Sequence, residues 1–134
     1  MSVVLVSGGY DPLTRGHVRY IEAAQVYGRV VVALNSDDWL RRKKGYVFQD
    51  WEHRAEILRA LRAVSLVIAV DDSEGHVAAA IRQVQPRFFA NGGDRTTANE
   101  YEDAACRAVR AVQLFGVGGP KIASSSALVE AVSR

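Results

Sequence analysis

With a single cysteine, Cys106, the chain cannot hold an internal disulfide, and its stability has to come from a packed core. Long apolar runs are also missing. The longest, such as Val30 to Leu34, fall far short of the roughly 20 residues that cross a bilayer. The start, Met1-Ser2-Val3-Val4-Leu5-Val6, lacks the basic residues and small-residue cleavage site of a secretory signal, so a cytoplasmic protein with no membrane partner is expected. Charge of one sign is scarce: 17 basic residues face 15 acidic ones, for a net charge of +2. A duplex binder carries a concentrated basic stripe, so no nucleic-acid partner is expected. Lysine is rare. Only Lys43, Lys44 and Lys121 occur, and two of them are adjacent within Arg41-Arg42-Lys43-Lys44. That short run suits a small polyanion.

What is present is ordinary globular material. The 134 residues are 49% hydrophobic and 24% charged, which fits one domain over 1–134 with a buried core. Short apolar runs at Val3 to Ser7, Val30 to Asn35, Leu66 to Val70, Arg87 to Ala90 and Gln113 to Val117 predict five strands. Between them, apolar residues recur at helical spacing. Examples are Val18, Ile21, Ala24 and Tyr27, then Ile57, Leu58, Leu61 and Val64 after a capping Asp50. Asp72 or Ser73 is expected to cap a helix through Val77, Ile81 and Val84, which Pro86 ends. Tyr101, Ala105, Ala108 and Val112 form a further stripe, and Ser124-Ser125-Ser126 opens the last helix. The polar segment from Ser36 to Asp50 reads as irregular.

Strands alternating with helices predict an α/β fold: a Rossmann-like, doubly wound, five-stranded parallel sheet. Ligands of such sheets bind beyond the carboxyl ends of the strands. The loop after the first strand reads Gly8-Gly9-Tyr10-Asp11-Pro12-Leu13-Thr14-Arg15-Gly16-His17. It is neither a P-loop nor G-x-G-x-x-G, which excludes the two standard nucleotide fingerprints and with them an NAD-binding domain. Its glycines would let backbone N–H groups approach a phosphate, and His17 falls at a helix start, where anions are favoured. The bland alternative is a tight turn with a surface histidine. Cys106, in an alanine-rich helix, reads as buried and inert.

Gly9-Tyr10-Asp11 followed by Thr14-Arg15-Gly16-His17 resembles the signature of the nucleotidyltransferase superfamily, whose shared motif is H/T-x-G-H after a G-x-F-D-type turn. That superfamily contains the glycerol-3-phosphate cytidylyltransferases, the phosphopantetheine adenylyltransferases and the heptose-phosphate adenylyltransferases. Further matches lie in order along the chain: Asn35-Ser36-Asp37-Asp38, Lys43-Lys44-Gly45, Trp51-Glu52-His53-Arg54, Gly92-Gly93-Asp94 and Ala123-Ser124-Ser125-Ser126.

The resemblance implies transfer of a nucleotidyl group from CTP to a small phosphate or phosphonate, with pyrophosphate released and Mg²⁺ as cofactor. Phosphonate cytidylyltransferases, including the one that activates 2-hydroxyethylphosphonate in antibiotic biosynthesis, are the nearest in kind, and glycerol 3-phosphate is the next acceptor. It implies catalytic roles for His17, Lys44 and Thr14. Nucleotide would contact Gly8, Gly9, Tyr10, Gly16, Gly92, Asp94, Arg95 and the serines Ser124, Ser125 and Ser126. Acceptor would contact Asp11, Asp38, Lys43 and Arg54. No protein metal ligands are expected, since His17, His53 and His76 lack zinc spacing. A homodimer is expected, burying Trp39, Trp51 and Tyr46.

Two departures stand out. The first histidine of the commoner motif is Thr14, as in the phosphopantetheine branch. The arginine that glycerol-3-phosphate enzymes carry before their serine-threonine motif is absent, with Lys121 nearby. The alternatives are an ATP-dependent enzyme acting on a sugar 1-phosphate, to which the Gly-Gly-Asp turn points, and a nucleotide-binding module without catalysis.

Overall fold

The computed structural model describes residues 2–93, 95, 99–120 and 125–133, the side chains of 126, 127 and 133 excepted. Five strands form one sheet: β1 (Val3–Gly8), β2 (Arg29–Leu34), β3 (Val64–Ala69), β4 (Phe88–Ala90) and β5 (Val112–Leu114). Every neighbouring pair is parallel, and the order is β3-β2-β1-β4-β5. Parallel strands need long crossovers, which helices supply. These are α1 (Arg15–Ala24), α2 (Asp37–Lys44), α3 (Trp51–Arg59), α4 (Ala78–Val84), α5 (Glu100–Val109) and α6 (Ser125–Ser133). The doubly wound parallel sheet expected from the alternation is the architecture found. The chain lays down β1, β2 and β3 in one direction, then crosses to the other side of β1 for β4 and β5. Loops leaving β1 and β4 therefore diverge, and a crevice opens between them at the strands' carboxyl ends.

Side chains alternate across the sheet, so each strand feeds two layers. Val4, Val6, Val30, Val32 and Leu34 pack with Ile21 of α1 and with Ala55 and Leu58 of α3. Leu5, Val31, Ala33 and Phe89 face the other way, against Ala78 and Ile81 of α4 and Ala105 and Cys106 of α5. Trp51, half-buried, packs against the first layer and donates its indole N–H to the Leu34 carbonyl at 3.1 Å. Among the described residues, no helix is long and apolar enough to cross a membrane.

The segment from Ser36 to Asp50, expected to be irregular, contains α2. No apolar stripe announces this helix, because Leu40 is its one buried residue. Its ends specify it. The Ser36 hydroxyl caps the start by accepting from the Trp39 N–H. Asp37 and Asp38 occupy the first turn, Arg41 to Lys44 the last, and Gly45 closes it at φ 84°. Acids at the positive end and bases at the negative end complement the helix dipole.

Other boundaries also move. Asp72 and Ser73 do not cap α4, which starts at Ala78 without a side-chain cap. The Val77 N–H is instead taken by the buried Glu102 carboxylate at 3.0 Å. Val64 and Val112, counted into helical stripes, belong to β3 and β5. The buried face of α5 is Glu102, Ala105 and Cys106, while Tyr101 and Ala108 face outward.

Leu5 is fully buried at the centre of the second layer. Leu5→Ala is expected to lower unfolding free energy by about 2–5 kcal/mol, read from urea denaturation. A loss under about 1 kcal/mol would show that the layer collapses around the cavity.

Candidate active site

The loop after β1 is shaped by contacts that explain its composition. Gly8 lies against the Tyr10 ring: a Cβ there would stand 2.9 Å from its Cζ. Gly9 lies against α2, where a Cβ would stand 2.8 Å from Leu40 Cδ2. Tyr10 points into the core, and its hydroxyl donates to the Ser7 carbonyl at 3.3 Å. Burial, with a smaller contribution from Tyr20, pushes its phenol well above the ordinary value. The nucleotide contact expected of Tyr10 therefore does not come from its side chain, which is a neutral core group.

Thr14 caps α1, and Gly16 lies in the helix's first turn. The Thr14 N–H donates to His17 Nδ1 at 3.0 Å, while the His17 N–H donates to Thr14 Oγ1 at 3.3 Å. This reciprocal box has a chemical consequence. Nδ1 is an acceptor, so the ring proton resides on Nε2. Tyr10 packs against the imidazole edge to face, with centroids 4.9 Å apart. Thr14 is buried, and its visible job is to fix the tautomer and angle of His17.

Arg54 and Asp11 take places other than those expected. The Arg54 side chain is fully buried. Nε donates to the Gln49 carbonyl at 2.9 Å, and Nη1 to the carbonyls of Gly9 and Asn35 at 2.8 Å each. Nη2 pairs with Asp37 Oδ1 at 2.6 Å. Asp11, also fully buried, accepts from the N–H groups of Phe48 and Gln49 at 2.7 and 2.6 Å. Both residues join the β1 loop to the segment between α2 and α3; neither side chain is turned toward an acceptor. Asp38 is exposed and paired with Arg41 at 3.0 Å.

Lys43 and Lys44 end α2, with Lys43 Nζ 4.6 Å from the Trp39 ring centroid. The pair lines a cavity of about 710 Å³ together with Tyr46, Val47 and Phe48 and with Val129 and Glu130 of α6. The start of α6 reaches back to the first loop, where the buried Ser125 hydroxyl donates to the Pro12 carbonyl at 2.6 Å. Beyond β4, Gly92 starts a turn. Arg95 Nη1 donates to Glu102 Oε1 at 2.5 Å and to Asn91 Oδ1 at 3.3 Å. Asp94 and Ser124, with the side chain of Ser126, lie outside the described residues. The first loop with His17 follows β1 and the Gly92 turn follows β4 at the carboxyl ends of the strands, the α6 start is tied to that loop through Ser125, and the lysine pair shares its cavity with α6.

A family model described as cytidylyltransferase-like matches residues 5–128. The chain belongs to the cytidylyltransferase-like family. Among curated relatives, the bifunctional protein HldE of Coxiella burnetii is 40% identical over 96 residues, which is 69% of this chain and 20% of that protein. HldE of Rhodopseudomonas palustris is 41% identical over 93 residues, covering 67% and 19%. The chain spans about a fifth of the length of these relatives. Among solved structures, a lipopolysaccharide core biosynthesis protein from Thermoplasma volcanium shares the fold. It aligns with a TM-score of 0.75 at 22% identity, over 87% of this chain and 96% of that one.

Sequence reading missed Asn35, Asp37, Asp72 and Glu102 as organising residues. Ser36 three places before Trp39 is a cap signal that would have revealed α2. Nothing local marks Asp72 or Glu102, whose partners lie 36 and 25 residues away. Cys106 is buried as expected. Burial, then Asp103 and Glu102, pushes its thiol up to about 11, which leaves it unreactive at neutral pH.

Arg54→Met removes every donor that joins Gly9, Asn35, Asp37 and Gln49. It is expected to destabilise the fold by roughly 3 kcal/mol, the scale of a broken buried ion pair and its stranded acceptors. A thermal melt superimposing on the parent's would refute the scaffold role.

Proposed function

We propose that the chain transfers a nucleotidyl group from a nucleoside triphosphate to a phosphorus oxyanion. The observation that supports this best is the Thr14–His17 box at the start of α1, just after the β1 loop, which leaves Nε2–H as the ring's donor. An acceptor phosphate is largely ionised near neutral pH, since its second pKa is about 6. It needs no general base. Its oxygen attacks the α-phosphorus, a new P–O bond forms, and the bond to the bridging oxygen breaks. Pyrophosphate leaves with that electron pair. The enzyme's work is to align two anions and to meet charge as it moves to the leaving group.

His17 Nε2–H donates to that charge, and Thr14 holds the ring in place. Lys44, with Lys43 beside it, neutralises phosphate oxygens from the end of α2. Gly8 and Gly9 offer backbone N–H groups, and Gly16, Gly92, Asp94, Arg95 and the serines from Ser124 to Ser126 complete the nucleotide site. Mg²⁺ belongs to this reading, although among the described residues no cluster of three or more His, Cys, Asp or Glu would cage it. The carboxylates of Asp11 and Asp37 already serve N–H groups and Arg54. When bound, the ion would supply further charge neutralisation.

Two substrate pairs fit. CTP with a small phosphate or phosphonate, 2-hydroxyethylphosphonate before glycerol 3-phosphate, draws support from the Glu52-His53-Arg54 segment and the family's description. ATP with a sugar 1-phosphate draws support from the relatives named HldE and from the Gly92-Gly93-Asp94 turn. The cavity beside the lysines has a volume within the range of small-molecule sites. Family resemblance also makes a homodimer part of this proposal, and sedimentation at micromolar concentration reads it directly.

His17→Ala is expected to keep the fold and lower turnover by about a hundredfold, the scale of one lost transition-state donor. Lys44→Ala is expected to cost a similar factor and Lys43→Ala less. Pyrophosphate release is the measurement, and near-parental turnover in His17→Ala would overturn the assignment. The substrate pair is decided by kcat/KM for CTP and ATP, each with 2-hydroxyethylphosphonate, glycerol 3-phosphate and a sugar 1-phosphate. A tenfold preference corresponds to about 1.4 kcal/mol of transition-state binding. No release with any pair would refute catalysis and leave a binding module.

A further inference from the structure

The lysine pair sits on an eight-residue helix with one buried side chain. A helix that short is not held by its own hydrogen bonds. Its ties to the body of the protein decide where the lysines stand. Arg54 supplies one tie, through Asp37. The other is Asp72, in the loop after β3, only 3% exposed.

Asp72 Oδ2 accepts from Asn35 Nδ2 at 3.0 Å and from the Ser36 N–H at 2.8 Å. Oδ1 accepts from the Ser36 hydroxyl at 2.7 Å. Ser36 is the cap of α2, and that same hydroxyl accepts from the Trp39 N–H at 3.0 Å. The main-chain carbonyl of Asp72 accepts from Arg42 Nη2 at 2.9 Å. One residue therefore grips α2 at its cap and again at the residue preceding Lys43.

We propose that Asp72 is a positioning residue for the phosphate site, setting where Lys43 and Lys44 stand by fixing both ends of α2. The proposal rests on the reading of Lys44 as a phosphate contact. Asp72 touches no reacting atom; it acts through the helix. A lysine displaced by about 1 Å still carries its charge but loses alignment, and misalignment of that size costs up to a hundredfold. The same grip explains how an acidic residue favours an anion site. Its charge is spent on donors of the α2 cap, so the basic end of the helix faces the cavity.

The test uses tripolyphosphate as the probe and titration calorimetry as the readout. Asp72→Ala removes all three side-chain acceptor bonds and is expected to weaken tripolyphosphate about tenfold. Asp72→Asn is expected to restore affinity to within about twofold of the parent. Its amide oxygen still accepts from Ser36 and Asn35, and its NH₂ donates to the Ser36 hydroxyl. Arg42→Ala, which removes an exposed side chain and spares the core, is expected to weaken binding by a smaller factor. The decisive comparison is a double-mutant cycle. If Asp72 acts through Lys44, Asp72→Ala in a Lys44→Ala background costs little more than Lys44→Ala alone. Losses that simply multiply overturn the proposal while leaving the phosphate site standing. A Lys44→Ala variant that binds like the parent overturns the reading of the site, and the proposal with it. Hydrogen exchange gives a readout independent of any ligand: amide protection over Asp37–Lys44 is expected to fall in Asp72→Ala. Unchanged protection there also overturns the proposal.

Discussion

The buried guanidinium of Arg54 holds the carboxyl edge of this sheet together. Its bonds reach Gly9 after β1, Asn35 and Asp37 between β2 and α2, and Gln49 before α3, so three stretches of chain meet at one side chain. Burying a cation is costly unless its donors are met, and three main-chain carbonyls and a carboxylate meet them here. Guanidinium is suited to this because its donors diverge in one plane. Asp11 adds a counterpart of opposite sign, gathering two N–H groups from the same segment. Polar groups left unpaired as the chain leaves β1 and β2 are thus satisfied by side chains in place of a continued sheet ladder.

That arrangement bears on how far the sequence could be read. Strand and helix alternation was legible because buried parallel strands are short, uninterrupted apolar runs, such as Val30 to Leu34. The helix α2 was not, because periodicity detects a helix only through an apolar face. This one shows a single buried leucine, and its evidence lay in caps and end charges. The first loop and the lysine pair stand out as motifs, yet motif matching could not separate the residues proposed to meet a ligand from those whose side chains are spent inside the fold. Arg54, Asp11 and Tyr10 fall in the second group, and their partners lie up to 45 residues away. Glu102 and Asp72 carried no motif at all. Their roles follow from the topology, which sets loops from β1, β2, β3 and β4 side by side.

A common logic links the layers. The strand order β3-β2-β1-β4-β5 makes the crevice. Caps then aim what lines it: Thr14 turns His17, and Ser36, held by Asp72, aims the helix ending in the lysines. In both cases a small hydroxyl residue at a helix start governs a nitrogen-bearing side chain farther along. The proposed chemistry is placement of anions, and short helices with fixed ends place charge with little freedom.

The bond from Ser125 to the Pro12 carbonyl spans 113 positions of sequence. It ties the start of the last helix to the loop that follows the first strand. During synthesis the first loop emerges early and must wait 113 positions for this partner. Sheet and cores draw on strands made before α6, so a compact body can form while the wall that α6 gives to the lysine cavity is still missing. That wall is then a late feature, added after most of the described core is already covered.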